Sequence, residues 1–356
     1  MRILVTIALL GLGLHAAHAD IIPASQPWSV APPFAPGADN GKPLSANKAL
    51  SGAACVTGTP HCLAVNDEGR FAQFFTLGTG TITPGAIIGL LPAVINNGKQ
   101  KELDAEGVAY VPPEQPGAPG HYYVTGSHGL SRGGKLQTSR FFVLRFPVDA
   151  ATGQPTFAFS ADTAAPEIAR TDRLRAALRA LPKVGRFAEE QLNENGITIE
   201  GLTVVGRTAL FGLRSPCIDR HAFVVQVPLA GLFDATTPLA TSATPLALGD
   251  NAGIRDLARV RDGVLILSGR SDDQRSERAE RSGACGRPGA RPLPAVWFWS
   301  GVAGDPAKPL GTLPGVSDDM AAETLLVLSE DETSYRVLVL FDGKADGAPA
   351  EFIIKK

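Results

Sequence analysis

The stretch Thr198-Ile199-Glu200-Gly201-Leu202 places an acidic side chain at the start of an apolar run that is typical of a β-strand. Three similar phrases recur along the chain, at Asp104–Val108, Ile254–Leu257 and Ala321–Leu325. Each phrase opens one strand-like run, and a second run follows after a turn. Repetition of this kind is typical of repeat architectures, in which each unit is one supersecondary module. The sequence therefore predicts a repeat protein.

Charged residues mark the two ends of this strand pair. Glu200 precedes Arg214 by fourteen residues, and Asp256 precedes Arg270 by the same number. This common spacing aligns the third unit with the fourth. The corresponding residues of the other two units are Glu106 with His128, across the Pro- and Gly-rich turn 112–120, and Glu323 with Asp342.

Third strand-like runs follow in these units, at residues 141–146, 222–227, 295–299 and 351–354, and an earlier hairpin adds a fifth unit. Antiparallel units that close radially form a β-propeller, which leaves few exposed edges. We expect an all-β fold, a single β-propeller domain of five blades over residues 51–356, with six or seven blades as alternatives. The lead-in, residues 20–50, has a strand signal near Trp28 that could close the ring.

One segment departs from the strand pattern. Leu174, Leu178 and Leu181 follow helical spacing, with Thr171-Asp172 as the start signal and Pro182 as the stop. We expect a short amphipathic helix inserted between blades two and three, within residues 163–192.

The N-terminus indicates export. A basic residue, an apolar run over residues 3–14 and Ala17-His18-Ala19 before Asp20 form a secretory signal pattern, so residues 1–19 are predicted to be a signal peptide. No later apolar run is long enough to span a bilayer. The formal net charge is −2 and the basic residues are scattered, which disfavours nucleic-acid binding. We expect a periplasmic or secreted protein.

The four cysteines suggest two disulfides in an oxidising compartment. Three pairings are possible. We favour Cys55 with Cys62, because these residues close a tight local loop, and Cys217 with Cys285, because the repeat places both in loops of neighbouring blades.

Five ordered phrases resemble the family known as domain of unknown function 3616. The phrases are Asp104-Ala-Glu-Gly-Val-Ala, Val124-Thr-Gly-Ser-His128, Asn195-Gly-Ile-Thr-Ile-Glu-Gly-Leu202, Gly212-Leu-Arg-Ser-Pro216 and Gly253-Ile-Arg-Asp-Leu257. The likeness covers roughly residues 51–343, and a more distant one is to secreted esterase-like relatives of phytase. The resemblance implies a propeller and carries over no catalytic residue.

The propeller geometry predicts a candidate site. The start of each first strand lies beside the end of the second, so the charged residues at both positions should share one mouth of the central channel, where ring-shaped β folds bind ligands. The expected ligand-binding residues are Glu106, His128, Glu200, Arg214, Arg255, Asp256, Arg270 and Glu323. The polar loop 272–291, with Arg275, Arg278 and Arg281, leaves the same mouth and could cover a ligand.

Three roles are open for these residues. The arginines could pair structurally with Glu200 and Asp256. A Ca²⁺ ion could lie among Glu106, Glu200, Asp256 and Glu323. Alternatively, the acids and His128 could act on an ester or phosphoester. No strong catalytic motif is present, since Thr125 replaces the first glycine of a nucleophile elbow at residues 125–129. We therefore expect a module that binds a small molecule or a periplasmic partner, with a metal-assisted hydrolase as the alternative.

Overall fold

The computed structural model describes residues 20–39, 41–95, 98–99, 101–272, 285–287 and 289–356. These residues form five larger sheets of mainly antiparallel strands, each built mainly from consecutive strands, and two small hairpins. The innermost strand of every sheet contacts the innermost strand of the next, and the last contacts the first. The sheets are therefore the blades of a closed five-bladed β-propeller, as the repeats predicted.

Strands are numbered in chain order. The lead-in holds β1 (Ile21–Pro23), β2 (Ser29–Val30), β3 (Ala38–Asp39) and β4 (Lys42–Pro43). Blade one contains β5 (Leu50–Cys55), β6 (His61–Asn66), β7 (Phe71–Gly78) and β8 (Thr81–Gly89). A small hairpin follows, β9 (Val94–Ile95) with β10 (Gly98–Lys99). Blade two contains β11 (Ala105–Val111), β12 (Gly120–Gly126), β13 (Val143–Val148) and β14 (Ala169–Thr171).

Helix α1 (Arg173–Ala180) lies between blades two and three. Blade three contains β15 (Thr198–Val205), β16 (Thr208–Ile218), β17 (His221–Pro228), helix α2 (Leu229–Phe233) and β18 (Ser242–Ala247). Blade four contains β19 (Ala252–Val260), β20 (Gly263–Arg270), β21 (Ala295–Trp299) and β22 (Lys308–Thr312). Blade five contains β23 (Ala321–Glu330), β24 (Ser334–Asp342) and β25 (Ala350–Lys355), with β1 as its outer strand.

The two ends of the chain meet in blade five. Strand β1 pairs antiparallel with β25, with Ile21 opposite Ile354. The strand predicted near Trp28 does form, as β2, but it belongs to blade one, where it pairs in parallel with the outer strand β8. The fourth strand of blade five therefore comes from residues nearer the start of the lead-in than the sequence suggested.

The core lies between neighbouring blades, where apolar side chains of facing sheets pack together. Tyr123 of blade two and Phe211 of blade three belong to one such buried cluster. Close to the axis the inner strands approach so tightly that Gly107 has no room for a side chain. A Cβ atom there would lie 2.7 Å from Cβ of Leu202. The glycine after the acidic residue in the repeated phrase is thus required by packing between blades two and three.

Helix α1 confirms the predicted insertion. Leu174 and Leu178 are fully buried and Leu181 nearly so, because this apolar stripe packs on blades two and three. The helix begins at Arg173 rather than Thr171, since Thr171 ends β14 and pairs with Val143.

Both predicted disulfides are formed, Cys55 with Cys62 and Cys217 with Cys285. The first joins β5 to β6 within blade one. The second joins the end of β16 in blade three to the loop between β20 and β21 in blade four. In the described part of the chain, neither helix is long and apolar enough to cross a membrane.

Candidate ligand site at the channel mouth

The inner strand of every blade carries a β-bulge near its start. At each bulge the register with the second strand skips one residue. A bulged residue lacks a partner across the ladder, so its side chain can be aimed away from the sheet. The skipped residues are Ser51, Glu106, Glu200, Arg255 and Glu323. We call the end of the channel that carries these five residues the mouth.

A chain of ion pairs joins the bulged residues of blades three to five. Glu200 accepts from Arg214 Nη1 at 2.9 Å on Oε1 and lies 2.8 Å from Arg255 Nε through Oε2. Nη2 of Arg255 also pairs with Oε1 of Glu323. All four side chains are buried. The predicted pair Glu200–Arg214 is therefore formed, and Arg255 extends it to blade five.

Asp256 is placed differently from the prediction. It follows the bulge in blade four, so it does not take the position of Glu200. Its Oδ1 accepts the backbone N–H of Leu257 and its Oδ2 accepts that of Leu325 in blade five, each at 2.7 Å. No ion pair between described residues joins Asp256 to Arg270, so that prediction was wrong. The carboxylate instead links the backbones of blades four and five.

Glu106 lies in the bulge of blade two, partly exposed. Burial raises the pKa of Glu106 well above its usual range, and the charges of Glu200, Asp104 and Asp67 raise it further, whereas Arg255 lowers it. No hydrogen-bond or ion-pair partner is found for its carboxyl among the described residues. Glu106 is therefore the bulged acid that the arginines compensate least.

His128 does not join the acids at the mouth. Its side chain is fully buried, with its ring centroid 6.2 Å from that of Phe141, and its carbonyl accepts from Nη1 of Arg175 on helix α1. Burial, helped by Arg175, lowers the pKa of His128 to about 3. The backbone N–H of the preceding residue, Ser127, donates to the carbonyl of Asp104 at 2.9 Å. The alignment of His128 with Arg214 was thus displaced by one residue, and the imidazole is a neutral core group.

The mouth also holds charged residues that the sequence analysis did not single out. Arg140 pairs with Glu102 at 2.9 Å and with Asp104 at 3.0 Å. Asp67 follows the end of β6, the place that Arg214 takes in blade three. Burial raises the pKa of Asp67 to about 7, together with the charges of Asp104, Asp342 and Glu68. The position of Asp67 in the repeat was a signal that could have identified it.

Two cavities open at the mouth. The small cavity has a volume of about 90 Å³ and is bordered by blades three to five; its lining includes Arg214, Arg255, Arg270, Asp318, Asp319 and Met320. The large cavity has a volume of about 800 Å³ and lies over blades one and two; its lining includes Asp67, Glu68, Phe71, Leu91, Asp104 and Arg140. Both cavities are on the same face, because Asp104 lies just before the bulge of blade two and Asp67 just after β6.

The geometry does not support the calcium alternative, because two of the four proposed ligands already use their carboxylate oxygens elsewhere. Both carboxylate oxygens of Glu200 contact arginines, and those of Asp256 accept backbone N–H groups. Within the described ranges, no three His, Cys, Asp or Glu side chains are grouped so that they could hold a metal ion.

The loop 272–291 is described only at its ends, so Arg275, Arg278 and Arg281 lie outside the described residues. Asn251 holds the two ends together. Its Nδ2 donates to Oδ1 of Asp272 at 3.3 Å and to the carbonyl of Ala290 at 2.8 Å. The loop therefore leaves and rejoins the propeller at one place, next to Cys285, whose carbonyl accepts from the backbone N–H of Asn251.

Comparisons with known proteins agree with the resemblance. Residues 133–278 match the family model described as "Protein of unknown function (DUF3616)". No curated protein matches the chain. The more distant likeness to esterase-like relatives of phytase is not confirmed.

Solved structures with a similar fold share little sequence with this chain. One is a GH43 β-1,3-galactosidase, with a TM-score of 0.46 and 10% identity; the match covers 95% of this chain and 60% of that one. Another is the PQQ domain of pyranose dehydrogenase from Coprinopsis cinerea, with a TM-score of 0.39, 11% identity and coverage of 86% and 82%. The Nup133 β-propeller domain of Vanderwaltozyma polyspora has a TM-score of 0.34, 9% identity and coverage of 86% and 71%.

Proposed function

We propose that this chain, whose residues 133–278 match the DUF3616 family, is a ligand-binding module with its ligand in the large cavity at the mouth. The size of that cavity carries the proposal. Its volume of about 800 Å³ lies within the roughly 300–1,000 Å³ that is usual for small-molecule sites. Its lining is more highly charged than that of most such sites, and Leu44, Phe71 and Leu91 supply apolar surface beside the charged groups.

The ion pairs of blades three to five would form the rigid side of this site. Glu200 and Arg255 fix three inner strands relative to one another at the axis. Three arginines, Arg214, Arg255 and Arg270, also border the small cavity. A volume of about 90 Å³ suits a single small group, so a ligand that reaches across the mouth could place an anionic substituent there.

The hydrolase alternative gains no support from two of the residues that it was expected to use. His128 is buried away from the mouth acids, and Glu200 is held by two arginines. For location, we propose the periplasm or the medium. The two disulfides support an oxidising compartment, and the predicted signal peptide lies outside the described residues.

The proposal is tested by blocking the large cavity. Ala161 is an exposed residue in its lining, and Ala118 is an exposed residue in the turn between β11 and β12, outside that lining. A small-molecule library is screened for compounds that raise the melting temperature of the wild-type protein, since a ligand that binds only the folded state stabilises it. We expect these shifts to vanish in Ala161→Trp and to persist in Ala118→Trp. Shifts that survive in both variants would place the ligand elsewhere.

A further inference from the structure

The large cavity has apolar as well as charged residues in its lining, and we call the apolar part its apolar wall. Leu44, Phe71 and Leu91 line it, and Phe71 at the start of β7 is partly exposed. An aromatic ring at such a site offers its face to an apolar body or to a cation. The wall therefore suits an organic ligand rather than a bare ion.

Asp67, in the lining of the same cavity, is a carboxyl group whose strongest charged neighbours are acids. Its Oδ1 is buried and has no hydrogen-bond partner among the described residues. These acids are Asp104, Asp342 and Glu68, and the basic residues of the cavity lining are Arg70, Lys101, Arg132 and Arg140. Arg140 is shared by Glu102 and Asp104. A buried acceptor of this kind is costly unless a donor reaches it.

We infer that the ligand of the large cavity is an organic cation, a protonated amine on an apolar body, and that Asp67 binds the ammonium group while Phe71 contacts the body. The inference rests on the proposed function, because it names the class of ligand for the same cavity. An ammonium group supplies a donor to Asp67 together with a positive charge among the acids around it, and the charge-assisted hydrogen bond is stronger than a neutral one.

The test uses three probes with the same phenyl body and different ends: 2-phenylethylamine, 3-phenylpropionate and 3-phenyl-1-propanol. Each is titrated into the full chain by calorimetry at pH 8. We expect the amine to bind about tenfold more tightly than the other two, because one charge-assisted hydrogen bond distinguishes them. Asp67→Asn should remove this advantage. Glu114→Gln makes the same charge change at an exposed acid in the turn between β11 and β12, outside the cavity lining, and should keep it.

The affinity for the amine should also fall between pH 8 and pH 6. Asp67 takes up a proton over this range, since its pKa is raised to about 7 by burial and by Asp104, Asp342 and Glu68. The Asp67→Asn variant should lose this dependence.

The outcomes separate the two proposals. If the carboxylate or the alcohol binds as tightly as the amine and Ala161→Trp abolishes that binding, the amine inference is overturned and the ligand-binding function stands. Amine binding that Asp67→Asn leaves unchanged also overturns the inference. If none of the probes binds, the inference fails, and the library screen with Ala161→Trp decides the proposed function separately.

Discussion

Blades three and four have the same fourteen-residue spacing between an acid and an arginine, yet they use it in different ways. In blade three the acid, Glu200, occupies the bulge and binds Arg214 from the second strand. In blade four the bulge holds Arg255, and Asp256 binds the backbones of two blades. The spacing is identical, but the bulge is displaced by one residue relative to the acid.

This one-residue difference reverses the charge at the axis. Glu200 and Glu323 are both buried, and Arg255 lies between them in contact with both. An acid in the bulge of blade four would add a negative charge among buried carboxylates and raise their pKa values. The position of the bulge in blade four therefore permits the two acids to stay buried.

The largest effect is expected from removing the cation of blade four. Arg255→Met should lower the free energy of unfolding by about 3–5 kcal/mol, because breaking a buried ion pair leaves uncompensated charge. Urea denaturation measures it. Arg261→Met is the control, since Arg261 pairs with Glu332 on the surface and the loss there should be about 1 kcal/mol or less. Equal losses in the two variants would show that the ion pairs of Arg255 with Glu200 and Glu323 stabilise the fold no more than a surface ion pair does.

The next effect concerns the acid of blade four. Asp256→Asn should cost about 1–3 kcal/mol, because an amide keeps one acceptor oxygen and leaves one of two buried N–H groups without a partner. Hydrogen exchange should show which N–H group has lost its acceptor, because the backbone amide of Leu257 or Leu325 should then exchange faster. Unchanged exchange at both residues would show that the bonds of Asp256 do not link blades four and five.

Double-mutant cycles compare the two spacings directly. Alanine at Glu200 and Arg214 should show a coupling of about 0.5–3 kcal/mol, the range for residues in contact. Alanine at Asp256 and Arg270 should be additive within about 0.3–0.5 kcal/mol, as for residues that share no contact. Strong coupling in the second cycle would mean that Asp256 and Arg270 interact as Glu200 and Arg214 do, so blades three and four would not differ in this respect.

The sequence predicted the blades because apolar runs and turns recur at similar intervals. The pairing of Glu200 with Arg214 followed from this repeated strand–turn–strand pattern. It did not locate the bulges, since a bulge adds one residue without changing the apolar pattern around it. If Ile254 and Leu257 are aligned with Ile199 and Leu202, Arg255 takes the position in the repeat that Glu200 has in blade three. Aligning on charge selected Asp256 instead.

The same displacement explains His128. The residue that corresponds to Arg214 in blade two is Ser127, whose backbone N–H donates to the carbonyl of Asp104, and the following His128 turns into the core with a left-handed φ of 57°. Side-chain direction after the second strand depends on this local backbone conformation, which residue type alone does not specify for a histidine.

The smallest effect extends the comparison to blade one, where Asp67 takes the place of Arg214. The folded protein holds the proton of Asp67 up to about pH 7, whereas an unfolded chain releases it near the ordinary value of 3.8. Between these values the folded state binds more protons, so this acid lowers stability as the pH rises. From pH 5.5 to pH 8, the wild type should lose on the order of 1 kcal/mol relative to Asp67→Asn, in which position 67 cannot titrate. Urea midpoints at the two pH values measure the difference, with Glu114→Gln, at an exposed acid that is not among the neighbours acting on Asp67, as the control expected to follow the wild type. Identical profiles for the wild type and Asp67→Asn would mean that this carboxyl is compensated in blade one as Glu200 is in blade three.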